Sequence, residues 1–226
     1  MSSIGWVRKK TRLDPLALAL EMASSSGGAP EGTVIQGSAS SSSVLSFSVI
    51  LRPQPGSQVQ ILPIIATFCA SEGIRKDTGI ITWIRWPDEV VAGEDVVAVT
   101  DLTPDGPADA PRAILSFRIN LGHVRRAGST SLRDLLGVDV DPDMLVAKVI
   151  DSLSWMHSGW VKEMYPQILP RITSMLENAG GRVLVDHDGT AETGLVRGVD
   201  ETGRLIVELS GGEEVRLRDR SGLLST

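Results

Sequence analysis

Apolar residues recur at helical spacing in parts of the chain and alternate in others, and these two periods divide it into elements. Residues 15–23 are strong helix formers, with Asp14 placed to cap them and Pro15 at the first helical position, so a first helix is predicted there. Turn-forming SSSGGAPE follows, and residues 33–36 read as a short strand. The stretch 37–43, GSASSSS, carries too little apolar surface to hold one conformation and is expected to be a loop. VLSFSVIL over 44–51 alternates and then runs apolar with β-branched residues, the pattern of a buried strand.

Residues 63–71, PIIATFCAS, open on proline and stay apolar on most faces, which predicts a buried helix with Cys69 in the core. ITWIRWP over 81–87 alternates as a strand, with core packing expected for Trp83 and Trp86, and two further strands flank a turn at Gly93. The proline-rich stretch 103–111 is expected to be a loop and 113–122 a strand. Helical periodicity then occupies 131–136 and 141–176, interrupted late by Pro166 and Pro170. Past Asn178 the pattern turns to short strands spaced by DHDG, DETG and SGGEE turns. The expected class is therefore α+β, with a mixed sheet flanked by helices over residues 1–178 and a small β-barrel unit over 179–226.

With 226 residues, 42% of them hydrophobic and 22% charged, the chain can bury a core, which excludes global disorder. Its net charge of -6 supplies no basic face for a dedicated nucleic-acid binder. A single cysteine excludes an internal disulfide and a cysteine-rich zinc site, so cytoplasm is the default expectation. The charged start MSSIGWVRKK is the reverse of a signal peptide, and no apolar run approaches the ~20 residues of a membrane span.

The segment IRWPDE, from Ile84 to Glu89, resembles the tryptophan-proline-asparagine-aspartate signature of biotin protein ligases, in which a basic residue precedes the tryptophan. Further segments resemble that family in the same order. GAPEGTVI and VLSFSVILRP are similar to the strands on either side of its adenylate loop, and ILSFRIN to its glycine-isoleucine-asparagine strand. TSLRDLLGVDVD is similar to the helical region that follows, and residues 182–208 to its C-terminal SH3-like barrel. The resemblance spans nearly the whole chain and implies the catalytic-domain fold of the biotin and lipoate protein ligases.

In that family biotin and ATP form biotinyl-adenylate, and biotin passes to a lysine of a carrier domain. Charge builds on phosphorus during adenylation, so fixed cations and backbone amides around the phosphate are what the chemistry requires. The family supplies them from a glycine- and arginine-rich loop. Between Thr33 and Leu45 this chain has only VIQGSASSSSV, with one glycine and no basic residue. The family's Ser-Thr-Asn head-group motif meets Thr11, Arg12, Leu13 and Asp14 here, its lysine after the tryptophan meets Val96, and a following glycine meets Val99. Asp88 and Glu89 replace asparagine and aspartate of the signature, and a glycine of the later strand has become Phe117 or Arg118. Trp86, Pro87, Asn120 and the cation at Arg85 match.

The resemblance thus implies a biotin protein ligase-like protein without the adenylate loop, a pseudoenzyme serving as a ligand-binding or partner subunit. Trp86, Pro87, Asp88, Asn120 and Gln36 are its candidate ligand contacts, and Arg85 is the candidate catalytic residue. The second reading is an active ligase for biotin, lipoate or octanoate, using ATP and magnesium, with charge supplied by Arg85, Arg118 or a partner chain. A third keeps the fold as a dimerisation platform. Expected partners are a biotin carrier protein, a ligase-family subunit or a second copy of the chain, with neither nucleic acid nor membrane.

Plainer readings stand beside these. Arg85 next to Asp88 or Glu89 reads as an ion pair, and Asp88 with Glu89 as a solvated turn, since adjacent strand residues point to opposite faces. Asn120 divides evenly between a ligand contact and a structural hydrogen bond. Asp186, His187, Asp188 and Gly189 read as a hairpin turn rather than a metal site, and His123 and His157 lack a nucleophile or ligand partner at useful spacing. Trp155, Trp160 and Tyr165 drift around a helix, which implies packing on more than one side.

Overall fold

The structure is a computed structural model that describes residues 6–25, 28–37, 43–53, 59–107, 111–124, 126–158 and 165–225. In chain order it begins β1 (Val7–Thr11), α1 (Pro15–Ser24), β2 (Thr33–Gly37), β3 (Val44–Leu51), α2 (Leu62–Thr78) and β4 (Trp83–Arg85). Next come β5 (Glu89–Ala92), β6 (Asp95–Asp105), β7 (Arg112–Asn120), α3 (Leu132–Leu136), α4 (Pro142–Ser158) and α5 (Tyr165–Ser174). The chain closes on β8 (Arg182–His187), β9 (Thr190–Val199), β10 (Leu205–Leu209), β11 (Glu214–Leu217) and β12 (Leu223–Ser225). The first sheet has the order β1-β2-β3-β7-β6-β5-β4, and the second, antiparallel one has the order β11-β10-β9-β8-β12. Only the β1–β2 pairing of the first sheet is parallel. The expected α+β class is the observed one, and the second sheet is consistent with an SH3-like unit.

Alternation decides the two faces of the first sheet. Leu45, Phe47 and Val49 of β3 lie opposite Ile119, Phe117 and Leu115 of β7 and are buried in the main core, where α2 covers the sheet and α4 packs on α2. The Phe47 and Phe117 rings stack with centroids 4.6 Å apart. Ser46, Ser48 and Ile50 lie opposite Arg118, Ser116 and Ile114 and point the other way. There α1 covers one end, burying Ile35, Ile50 and Ile114 against Ala19 and Ala23. The rest of that second face mixes polar side chains, among them Ser46, Ser48, Arg118 and Asn120, with Val44 and Val99.

Several elements depart from expectation. The helix expected over 63–71 is α2, which continues to Thr78 and closes at Gly79 in the left-handed conformation, φ 75°. The apolar stretch stops at Glu72 and Gly73, yet the helix runs through both. Glu72 is instead neutralised by Arg171 at 2.6 Å, and a Cβ on Gly73 would lie 2.9 Å from the Val149 backbone, so the glycine is what lets α4 approach. β1 is an addition: VRKKT has no apolar alternation, and it is held by parallel pairing with β2 and by ion pairs from Arg8 (2.6 Å) and Lys10 (2.7 Å) to Asp143.

β6 runs through Thr103, Pro104 and Asp105, which were expected in a loop. β5 pairs only with the start of β6, so Pro104 faces no strand there that needs its missing N–H. The strand expected over 81–87 shrinks to β4. Trp86 lies in the turn after β4, and the Trp86–Pro87 peptide is cis. Core packing holds for Trp86, 5% exposed, and not for Trp83, 41% exposed. The helix expected over 141–176 is resolved as α4 and α5, and Pro170 lies inside α5. Residues 38–42 of the serine-rich stretch, Trp160, and the side chains of His157 and Tyr165 lie outside the described residues. No described helix is long and apolar enough to cross a membrane.

Candidate functional site

The turn after β4 is stitched from several sides. The Trp86 indole N–H donates to the Gly203 carbonyl at 2.9 Å. Arg220, in a short turn before β12, donates to the carbonyls of Trp86 at 2.9 Å and Arg85 at 3.0 Å. The Thr67 hydroxyl of α2 donates to the Pro87 carbonyl at 2.9 Å, and the Thr100 N–H of β6 to the Asp88 carbonyl at 2.8 Å. Arg220 also meets both Asp88 and Glu89 at 2.9 Å. Asp88 lies in the expected turn, outside the alternation of β5, so the two carboxylates share one guanidinium and are ion-paired. Burial pushes the Asp88 carboxyl above its ordinary range, with Arg220 opposing. Trp86 and Asp88 therefore fasten the second sheet to the first, while Pro87, held to α2 by Thr67, borders a separate groove of about 480 Å³ with Gly203.

Arg85 is held in the same way. Its guanidinium binds the Glu177 carboxylate two-pronged at 2.6 and 2.7 Å and lies 3.8 Å from Glu89. The expected partners were Asp88 or Glu89. The dominant one is Glu177, placed there because residues after α5 pair with β4, Ile84 N–H donating to the Met175 carbonyl at 2.7 Å. The bond to Glu177 raises the Arg85 pKa beyond its already high value.

On the second face of the first sheet lies an open cavity of about 530 Å³, lined by Arg85, Glu89, Arg118, Asn120, Arg126 and Arg220 together with Val96 and Val99. Arg85 and Arg220 are committed to carboxylates. Arg118 and Arg126 are exposed and make no hydrogen bond or ion pair with any described residue. The Asn120 side-chain amide donates to the carbonyls of Val96 at 3.3 Å and Thr130 at 3.0 Å. It thereby ties the loop after β7 to β6, and the residue both supports the wall and lines the cavity. Further along the same face, a smaller cavity of about 140 Å³ is bordered by Asp14, Ser46, Ser48, Asp101, Ser116 and Arg118. Arg118 borders both.

Gln36 does not join this group. It lies opposite Phe47 and so points to the α2 face, buried, where its amide bonds Arg8 and lies 3.1 Å from Asp143. The sheet separates it from Asn120, which removes Gln36 from the candidate ligand contacts. Glu177, Arg126, Arg220 and Asp101 escaped sequence reasoning. A signal for the serines and Arg118 was present: SFS in β3 and SFR in β7 place polar residues at alternate positions, a stripe that pairing brings to one face.

The remaining candidates are structural. Cys69 is fully buried, and burial pushes its thiol far up. Asp188 and Gly189 form the β8–β9 turn with φ 52° and 79°, as the Asp-Gly pair predicts. His123 is exposed beside Asp134, and Trp155 is exposed on α4.

No family model matches the chain, and no curated protein matches it by sequence. Solved structures do match in three dimensions. The biotin protein ligase of Aquifex aeolicus gives a TM-score of 0.77 at 18% identity, covering 99% of each chain. A biotin protein ligase-like protein of unknown function from Silicibacter gives 0.72 at 14% identity over 94% of each chain. The biotin protein ligase of Leishmania major in complex with biotinyl-5-AMP gives 0.61 at 13% identity, covering 93% of this chain and 96% of that one. The order of both sheets and this end-to-end likeness lead to one conclusion: the chain has the fold of the biotin protein ligases.

Proposed function

We propose that the protein binds an anionic small molecule on the second face of its main sheet and does not adenylate it. The observation that carries this is the pair Arg118 and Arg126, the guanidinium groups of the larger cavity that hold no carboxylate. An uncommitted guanidinium is a ready partner for a carboxylate or phosphate. Arg85 and Arg220 are already paired, and Val96 and Val99 put aliphatic surface where the family resemblance expects a cation and a glycine. Glu89, the carboxylate that lines the larger cavity, meets two arginines through one oxygen, Oε2. Too few groups converge to stabilise a phosphoryl-transfer transition state. In this reading Arg85 is a structural ion pair, and the units 1–178 and 179–226 are held together through Trp86 and Arg220. The protein acts as a binding or partner subunit, alone, as a homodimer or beside a carrier protein.

The structures of similar fold include an Aquifex aeolicus ligase in complex with biotin and ATP, which makes acids and nucleotides the first class to try. The second reading, an active biotin, lipoate or octanoate ligase, is favoured by one observation: Arg118 and Arg126 carry the same charge as the missing loop. Thermal unfolding with phosphate, ATP or biotin, alongside ATP–pyrophosphate exchange, separates the two. A ligand at ~100 times its Kd stabilises the native state by about 2.7 kcal/mol. We expect phosphate or ATP to raise Tm in the native protein and not in Arg118→Gln, with no acid-dependent exchange. Exchange establishes the ligase reading, and no shift with any anion overturns the binding reading.

A further inference from the structure

The smaller cavity has a different chemistry from the larger one. Ser48 and Ser116 face each other with their hydroxyl oxygens 3.0 Å apart, and Ser46 stands beside them on β3. Asp101 of β6 is exposed and makes no hydrogen bond or ion pair with any described residue. Arg118 is equally uncommitted. Asp101 lies opposite Ser116 and Arg118 opposite Val99, so the acid and the base are diagonal neighbours on adjacent strands of one face. Side chains at such positions start about 7–8 Å apart, within reach of a long side chain. No bridge between them forms. Two carboxylates and one cation border the cavity: Asp14 caps α1 by accepting from the Leu16 N–H, whereas Asp101 and Arg118 keep their bonding capacity for something beyond the described residues.

We infer that the small cavity receives a protonated amine, so that the ligand of the proposed site is an amino acid or another amine-bearing acid. Its ammonium lies against Asp101 and the serine hydroxyls, and its carboxylate or phosphate lies against Arg118. The inference rests on the anion-binding reading above and specifies its ligand class. An ammonium gives Asp101 a charge-assisted partner and the hydroxyls a donor. A purely apolar acyl head would cover the same carboxylate and hydroxyls without replacing their water, which is unfavourable. The length of the ligand is set by the larger cavity, into which Arg118 also opens.

Isothermal titration of the full chain with matched pairs tests this: ε-aminohexanoate beside hexanoate, γ-aminobutyrate beside butyrate, with biotin and inorganic phosphate as references. The amino acid is expected to bind about tenfold or more tighter than its fatty-acid partner, as a charge-assisted hydrogen bond requires. Asp101→Asn, an exposed change, should erase that preference without weakening phosphate, whereas Arg118→Gln should weaken every anion. Equal affinity within both pairs, tighter binding of biotin, or a preference that survives Asp101→Asn overturns the inference. Phosphate binding without amine preference overturns it alone. Failure of every anion, phosphate included, overturns the anion-binding reading as well.

Discussion

The indole of Trp86 donates to the carbonyl of Gly203 at 2.9 Å, a bond between residues 117 positions apart that joins the two sheets. The tryptophan of the ligase-like signature therefore serves as a fastener. Replacing it with phenylalanine keeps most of the packing and strands the Gly203 carbonyl. Trp86→Phe should lower unfolding stability by about 1–3 kcal/mol in denaturant titrations. A change within error would mean that water satisfies that carbonyl.

Gly73 makes the opposite prediction to helix propensity. Alanine should gain about 1 kcal/mol in an unconstrained helix. Here the new Cβ would sit 2.5 Å from a Val149 methyl and 2.9 Å from Val149 backbone atoms, which a side-chain rotation cannot relieve. Gly73→Ala should therefore destabilise by about 1–3 kcal/mol, with little rescue from Val149→Ala.

Two arginines of one cavity should behave differently. Arg85→Gln strips Glu177 of its two-pronged partner in a half-buried setting and should cost about 1–3 kcal/mol of stability. Arg118→Gln breaks no bond to any described residue and should stay within about 0.5 kcal/mol of the native value. Chemical denaturation of the two variants side by side checks the contrast.

His187 supplies a pH prediction. Its hydrogen bond to Glu192, with Glu213 and Asp188 nearby, raises its pKa in the folded protein. The folded state then binds the proton more tightly than the unfolded one. The contribution is fully present below the ordinary histidine range and is lost as pH rises through the higher folded value. The Tm difference between the native protein and His187→Gln should shrink as pH rises through that window. A difference that is flat or grows with pH contradicts the assignment.

What was legible in the sequence follows from local rules. The strands β3 and β7 announce themselves by alternation, α1 by Asp14 and Pro15, and the β8–β9 hairpin by Asp-Gly. What was missed depends on distant partners. β1 has no apolar pattern and exists through β2 and Asp143, and α2 outruns its apolar stretch because Arg171 meets Glu72. The site shows the same division. Arg85, Trp86 and Asp88 stood out as a linear signature, yet their roles are set by Glu177, Gly203 and Arg220, more than 90 residues away in each case. Gln36 and Asn120 looked like companions in one dimension, and strand register puts a sheet between them.

The position of Arg220 on the cavity wall also bears on when the pocket comes into being. Every strand of the first sheet leaves the ribosome before Arg220 does, and the folding of a growing chain tends to proceed from its N-terminal part. The nascent sheet must therefore present Asp88, Glu89 and the Arg85 carbonyl to solvent until the segment carrying Arg220 has been made. A chain made only as far as the first sheet has the floor of the larger cavity without the Arg220 rim.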